Sequence, residues 1–248
     1  MPLCRNREPL LRFLEANRPG TNALYYQLLG RTGAPPRWVR VDDLEYPRAV
    51  IVRTRRFCLF ATDSRAAGRL VDELPRRYRL WFRATPTRLV RVIRRHWHGP
   101  DAGRRIWRNS CWLYYLEPGR LVIDRRHRVS PLQPADAELI TRYWPYGRRA
   151  VHIRERIKAG PALAVRRRGE LAAWALTHED GSMGFLHVRE KFRGQGMART
   201  LTTAVAARLL RVGVQPFMHI VKSNRASIGL TESMGFTRGG DYDWFGTD

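Results

Sequence analysis

The spacing of apolar and polar positions divides the chain into short helices and strands. Leu10, Leu11, Phe13 and Leu14 recur at helical spacing and predict a helix over 6–17; Leu24, Tyr25, Leu28 and Leu29 predict a second over 21–30. Gly33-Ala34-Pro35-Pro36 then breaks the chain. Runs rich in Val, Ile and Phe predict strands over 38–41, 49–52 and 57–61. Ser64, whose hydroxyl can accept the first free N–H groups, is expected to cap a helix reaching about Leu74. A strand over 78–82 and a helix over 85–97 follow, the helix with Leu89, Val90 and Ile93 on one face. Further strands are expected over 111–116 and 121–123.

Residues 124–128 form a charged connector, and Pro131 and Pro134 follow it. A boundary is therefore expected near 126, giving an N-terminal domain of 1–125 and a second domain of 126–248. In the second, helices are predicted over 136–144 and 150–159, split by Pro145-Tyr146-Gly147. Three strands follow over 162–165, 171–176 and 183–188, with tight turns at Arg168-Gly169 and Asp180-Gly181. The latter is a hairpin signal, because glycine accepts the positive φ such turns demand. A loop over 189–195 leads into a helix over 196–212, where Leu201, Val205 and Leu209 share a face. A strand over 216–221, a helix over 224–234 and a closing strand over 236–245 complete an α/β order of α-α-β-β-β-α-β-α-β.

Composition narrows the classes. The chain has 248 residues and is 44% hydrophobic, enough for one large core or two ordinary ones. No run approaches the roughly 18 uninterrupted apolar residues that span a bilayer, and Arg5, Arg7, Glu8, Arg12 and Glu15 interrupt any secretory apolar segment at the start. Cys4, Cys58 and Cys111 are too far apart for a disulfide framework or a metal knuckle and fit a reducing, cytoplasmic setting. His96 and His98 lack the i, i+4 spacing of helical metal ligands, so no metal site is expected.

Formal net charge is +24, and all but three of the 46 basic residues are arginine. Both halves are basic, at +15 for 1–125 and +9 for 126–248. The arginines fall in scattered clusters such as Arg76/Arg77/Arg79 and Arg104/Arg105/Arg108, without zinc-finger spacing or an aromatic RNA-binding strand motif. A solvated arginine-rich surface accounts for this; a polyanionic partner such as nucleic acid is the alternative.

The chemistry concentrates in a strand, a basic loop and the run Arg193-Gly194-Gln195-Gly196-Met197-Ala198 opening a helix. Glycines let backbone N–H groups crowd around an anion, and a helix N-terminus carries about half a positive charge. Met197-Ala198 stands where a P-loop would need Lys-Ser/Thr, so this is a diphosphate cradle without that motif's metal ligand.

The stretch resembles the acyl-CoA signature of the GNAT N-acetyltransferase superfamily, Q/R-x-x-G-x-G/A, with Arg193, Gly196 and Ala198 in its defining places. The run from Asn224 through Gly235-Phe236 is similar to that superfamily's second signature. Trp174, Asp180-Gly181-Ser182-Met183 and Arg193–Gly196, then Pro216, His219 and Ser223-Asn224, resemble the glycine N-acyltransferase family. So does Tyr143-Trp144…Gly147…Ile153…Arg156-Ile157 upstream. The likeness is clear over 130–245 and faint before 125. It implies the GNAT fold, a mixed and mostly antiparallel sheet flanked by helices, in two tandem halves with the first degenerate. It also implies transfer of an acetyl or acyl group from acyl-CoA to an amine, often an amino acid.

By that resemblance the strand ending at Val188 splays from its neighbour, and Leu186 and Val188 offer backbone groups to pantetheine. Arg193, Gly194, Gln195, Gly196, Met197 and Ala198 would hold the pyrophosphate, an N–H near Val188 would polarise the thioester, and Asn224 would bond pantetheine. An attacking ammonium must lose a proton, so a base is expected. The family's Glu position holds Ser182 here, which leaves His187 on the same strand, His178, Glu179 or Asp180 at the preceding turn, or a water chain anchored by Ser182. Alternation puts His187 on the face opposite Ser182 unless the strand is bulged. Thr231 replaces the acid Tyr of many relatives and would hydrogen-bond the departing thiolate. His219 matches a family residue. Two alternatives stay open: acylation of a macromolecule, RNA or protein, and a catalytically impaired acyl-CoA-binding protein.

Overall fold

A computed structural model describes residues 6–32, 35–117, 119–144 and 149–247. Cys4, the Gly33-Ala34 part of the first break and Pro145-Tyr146-Gly147 lie outside the described residues. Two short helices, α1 (Glu8–Ala16) and α2 (Asn22–Leu28), precede β1 (Trp38–Val41), β2 (Ala49–Arg53) and β3 (Phe57–Ala61). Next come α3 (Ser64–Asp72), β4 (Trp81–Pro86), α4 (Thr87–His96) and β5 (Trp107–Tyr115). The rest is β6 (Val129–Pro131), α5 (Ala137–Tyr143), α6 (Ala150–Ala159), β7 (Ala162–Arg167), β8 (Glu170–Thr177), β9 (Met183–Val188), α7 (Met197–Arg211), β10 (Phe217–Val221), α8 (Arg225–Glu232) and β11 (Thr237–Gly246).

The strands form a seven-stranded sheet, β1-β2-β3-β4-β11-β5-β10, and a four-stranded sheet, β6-β7-β8-β9. Every pairing is antiparallel except the short contact of β3 with β4. β5 is paired by β11 on one edge and by β10 on the other, so strands from both sides of residue 125 share one continuous sheet.

Period-two alternation explains how both faces are covered. On β2 and β3, Ile51, Phe57 and Leu59 join Leu70, Leu89, Ile93 and Trp97 of the α3–α4 layer, while Val50, Val52, Cys58 and Phe60 join Leu10, Leu14 and Leu24 of α1 and α2. In the smaller sheet, Leu163, Val165, Ala173 and Ala175 pack with Leu201, Val205 and Leu209 of α7. Their alternates Ala162, Ala164, Trp174 and Leu176 pack with Ile140 and Ile153 of α5 and α6.

Local chemistry shifts several expected boundaries. Asp63, not Ser64, caps α3: its carboxylate accepts from the N–H groups of Arg65 and Ala66, a role open to Asp as much as Ser. The strand expected over 78–82 begins at Trp81, because Tyr78 closes a turn onto Pro75 and the Leu80 N–H is taken by Asp101. Residues 121–123 make no ladder, and Val122 is 81% exposed. Instead Val129–Pro131 pairs with β7 as an edge strand, where a proline's missing donor is tolerated.

Candidate active site

β9 ends the four-stranded sheet and β10 ends the seven-stranded one, and no ladder joins them. The splay expected at Val188 is therefore present. A cavity of about 540 Å³ lies in the split. It is lined by Phe185, Leu186 and His187 of β9, Met218, His219 and Ile220 of β10, Thr202 and Val205 of α7, Asn224, and Ser227, Leu230 and Thr231 of α8. Four indoles, Trp81, Trp107, Trp144 and Trp244, also line it and cluster about Arg56 and His178: Trp81 packs against Trp107, Arg56 lies over Trp81 and Trp244, and His178 contacts Trp144 and Trp244. The Arg56 guanidinium lies 4.0 Å from the Trp81 ring, a cation–π contact.

A second recess, about 430 Å³, adjoins the first and shares Leu186, His187, Ser227 and Leu230 with it. It is lined by the whole run Arg193–Arg199. Gly194 and Gly196 take φ values of +76° and +80°, a backbone conformation that L side chains rarely adopt. No side chain caps α7, so its first-turn N–H groups face the recess without intrahelical acceptors. A Cβ on Gly196 would come within 2.7 Å of the Arg126 guanidinium. Arg126 is held by Asp124 at 2.6 Å, and the Thr200 hydroxyl donates to the same carboxylate at 2.8 Å. These bonds, that from Arg126 first, hold the Asp124 carboxyl well below the usual carboxylate range. Arg126 belongs to the charged connector of the sequence. Its approach to Gly196 across 70 positions has no local signature, and the basic cluster Arg125/Arg126/Arg128 was the available hint.

β9 is bulged. Trp174 faces His187 and Leu176 faces Gly184, so one extra residue lies between, and Phe185 adopts φ +49°. Leu186 and Val188 pack toward α7, while Phe185 packs toward α5 and α6. His187 is on the latter side, stacked on Trp174 at 4.7 Å. The bulge thus supplies the break in alternation that a catalytic His187 requires. Its Nε2 is buried with no hydrogen-bond partner among the described residues. Burial, then the charges of Arg193 and Arg189, lower its pKa.

Ser182 does not line the cavity. It is 1% exposed, and its hydroxyl donates to Asp180 at 2.6 Å. The Asp180-Gly181 hairpin forms as expected, closed by the Ser182 carbonyl accepting from the His178 N–H at 2.8 Å. Burial opposes ionisation of Asp180, but Arg83, His178, His219 and the Ser182 hydroxyl overcome it and hold the carboxyl below its ordinary range. His178 does line the cavity: its Nε2 would stand 2.0 Å from a Cβ on Gly184, so glycine at the bulge makes room for this imidazole.

His219 presents a buried Nδ1 without a partner among the described residues. Burial first, assisted by Arg83 against the pull of Asp180, lowers its pKa to about 4 and keeps the ring neutral at pH 7. Thr231 is buried at the cavity wall, its hydroxyl 3.5 Å from the Met218 sulfur. Asn224 caps α8, accepting from the Ser227 N–H at 3.1 Å, which leaves its amide N–H₂ for a ligand. Cys111 lines the cavity, and burial pushes its thiol up to about 12, so it is no nucleophile at neutral pH. Among the described residues no three His, Cys, Asp or Glu side chains converge as metal ligands, and no helix is long and apolar enough to cross a membrane.

The comparisons with known proteins agree with this geometry. Residues 163–245, which include β9, the cradle and α8, match the family model described as FR47-like protein. A solved Drosophila protein superposes with a TM-score of 0.77 at 15% identity, covering 97% of this chain and 95% of its own. A GCN5-related N-acetyltransferase from Kribbella flavida superposes at 0.61 and 13% identity, covering 96% and 95%. An acetyltransferase of the GNAT family from Colwellia psychrerythraea does so at 0.53 and 11%, covering 100% and 99%. No curated protein matches the sequence. At these identities the likeness is one of fold: the chain has the GNAT fold.

Proposed function

We propose that this protein is an acyl-CoA-dependent N-acyltransferase, carrying an acetyl or longer acyl group from CoA to a primary amine by direct attack. The observation that carries this reading is the continuity of the two recesses: an anion cradle at the α7 N-terminus opens into a split between two sheet edges, and the split ends in an indole-lined chamber. That sequence of phosphate, tether and acceptor space matches the shape of an acyl-CoA with its amine partner.

The cradle over Gly194–Ala198 would hold the pyrophosphate, with Arg193 and Arg126 adding positive charge. The unpaired edge of β9 would hold the pantetheine arm through the backbone of Leu186 and Val188, and Asn224 through its amide. An N–H near Val188 would polarise the thioester carbonyl, a contribution of a few kcal/mol when such a donor is preorganised. No enzyme nucleophile is required, because binding both reactants supplies proximity. His178, among the indoles, would take the ammonium proton, while His187 also lines the cradle recess. Thr231 now bonds a thioether, a weak acceptor, and would turn readily to a departing thiolate.

In this reading Ser182 acts through Asp180 and is not itself the base. A small-molecule or amino-acid acceptor, as the likeness to glycine N-acyltransferases suggests, fits the chamber's size. Residues 1–125 would be the degenerate half of a tandem pair, contributing Arg56, Trp81 and Trp107 to the acceptor chamber. A macromolecular acceptor would have to present its amine through the same indole ring. Calorimetric titration with acetyl-CoA tests the reading: saturable binding is expected, and absence of heat at millimolar acetyl-CoA would contradict it.

A further inference from the structure

The segment between the two halves of the chain, 124–128, lies across the start of α7 and the cradle loop. Asp124 ties it to the helix through the Thr200 hydroxyl at 2.8 Å, and Arg126 packs over Gly196. Beside them the His127 Nε2–H donates to the Gln195 carbonyl at 2.6 Å. The Arg167 guanidinium, which can only donate, gives a hydrogen bond to Nδ1 of the same ring at 2.8 Å. A carbonyl only accepts, so the two contacts together fix a neutral imidazole with its proton on Nε2. The ladder of β6 with β7 sets this meeting: Val129 faces Val165, and antiparallel pairing carries residue 127 on to Arg167.

We propose that His127 is a positioning residue of the anion cradle, acting through the peptide between Gln195 and Gly196. The inference rests on the reading of that cradle as the place where a CoA pyrophosphate binds. A trans peptide is planar, with its C=O and N–H on opposite sides, so the bond that holds the Gln195 carbonyl also aims the Gly196 N–H. Gln195 and Gly196 line the recess and His127 stands outside its lining, which puts the anchored carbonyl on the outer side and the N–H toward the anion. An anchor is needed because Gly194 and Gly196, at φ +76° and +80°, give the loop rotational freedom. A flipped peptide would turn a carbonyl dipole toward the phosphates and withdraw one donor from them. Arg167 completes the device by holding the imidazole in the tautomer that donates.

The test is calorimetric titration of CoA into the wild-type protein and the variants His127→Gln and His127→Asn. S-acetylpantetheine, which has no pyrophosphate, is the second ligand, its binding read from NMR line broadening. A glutamine amide reaches the Nε2 position and donates to Gln195, whereas an asparagine amide stops at the Nδ1 position and meets Arg167 alone. Both side chains are neutral and polar at a half-buried site, so both keep the ring's lack of charge. His127→Asn should bind CoA about fivefold to tenfold more weakly, the loss of one hydrogen bond, and His127→Gln should stay within about twofold of wild type. Neither substitution should alter the affinity for S-acetylpantetheine. Equal CoA affinity in all three proteins, equal loss in both variants, or a matching loss for S-acetylpantetheine would overturn the positioning role and leave the cradle standing. Failure of the wild-type protein to bind CoA would overturn the cradle reading and the positioning role with it.

Discussion

Arg83 of β4 and Asp180 of the turn before β9 form a buried ion pair, Nη1 to Oδ2 at 3.8 Å, with side-chain exposures of 5% and 0%. The pair ties the first half of the chain to the hairpin that carries Ser182 and His178. Gln27 of α2 accepts from Arg83 at 3.2 Å, and Arg156 of α6 donates to the Thr177 carbonyl at 3.1 Å just before the hairpin. The hairpin is thus braced by charges from both segments.

Removing one partner of a buried pair strands the other charge. Arg83→Ala is expected to cost about 3–5 kcal/mol, read from urea unfolding, whereas the paired replacement Arg83→Met/Asp180→Leu should recover most of the loss. Equal stability of Arg83→Ala and wild type would show that the pair does not hold the halves together.

His219 sets a pH dependence of known sign. Its pKa is about 4 in the folded protein against an ordinary value of 6.5, so between these values the unfolded chain binds the extra proton. Stability from this residue is present above pH 6.5 and is lost as pH falls toward 4, by an amount on the order of 3 kcal/mol. Unfolding free energies measured at about pH 7.5 and 4.5, on either side of most of that titration, should differ less in His219→Gln than in wild type. An unchanged difference would contradict the buried neutral ring.

Gly196→Asp should weaken CoA binding at least a hundredfold by calorimetry, because the carboxylate would occupy the cradle and its Cβ would meet Arg126. The strained φ adds roughly 1–2 kcal/mol of instability, so circular dichroism must first show a folded protein. Undiminished CoA affinity in the folded variant would reject the cradle.

The sequence alone invites Ser182→Glu as a restored base, and the structure reverses that expectation. Ser182 is buried against Asp180, so a second carboxylate there should destabilise the fold and leave turnover no higher. His178→Gln, at the cavity wall, should instead lower turnover about a hundredfold. Faster turnover in Ser182→Glu would return the base to that position.

Most of the second half was legible because its signals are local. The Asp-Gly turn, the glycine pair before α7 and the Asn224 cap each write a backbone requirement into one or two residues. Long-range pairing has no such signature. Nothing near Trp107 announces that β11 would pair with it and extend β5, and nothing near Val129 distinguishes an edge strand from a linker when two prolines are close by. The same limit hid Arg126, and it hid the indole cluster of the cavity, whose tryptophans come from four separate stretches of chain. The bulge at Gly184-Phe185 was visible only as a condition, since a one-residue slip leaves hydrophobic composition unchanged.

Acyl transfer from CoA is read most directly as free-thiol release from acetyl-CoA, followed across a panel of small amines and amino acids. Release should require both protein and amine, yield the N-acetylated amine by mass spectrometry, and disappear in Gly196→Asp. Tight CoA binding with no amine-dependent thiol release from any acceptor would contradict it.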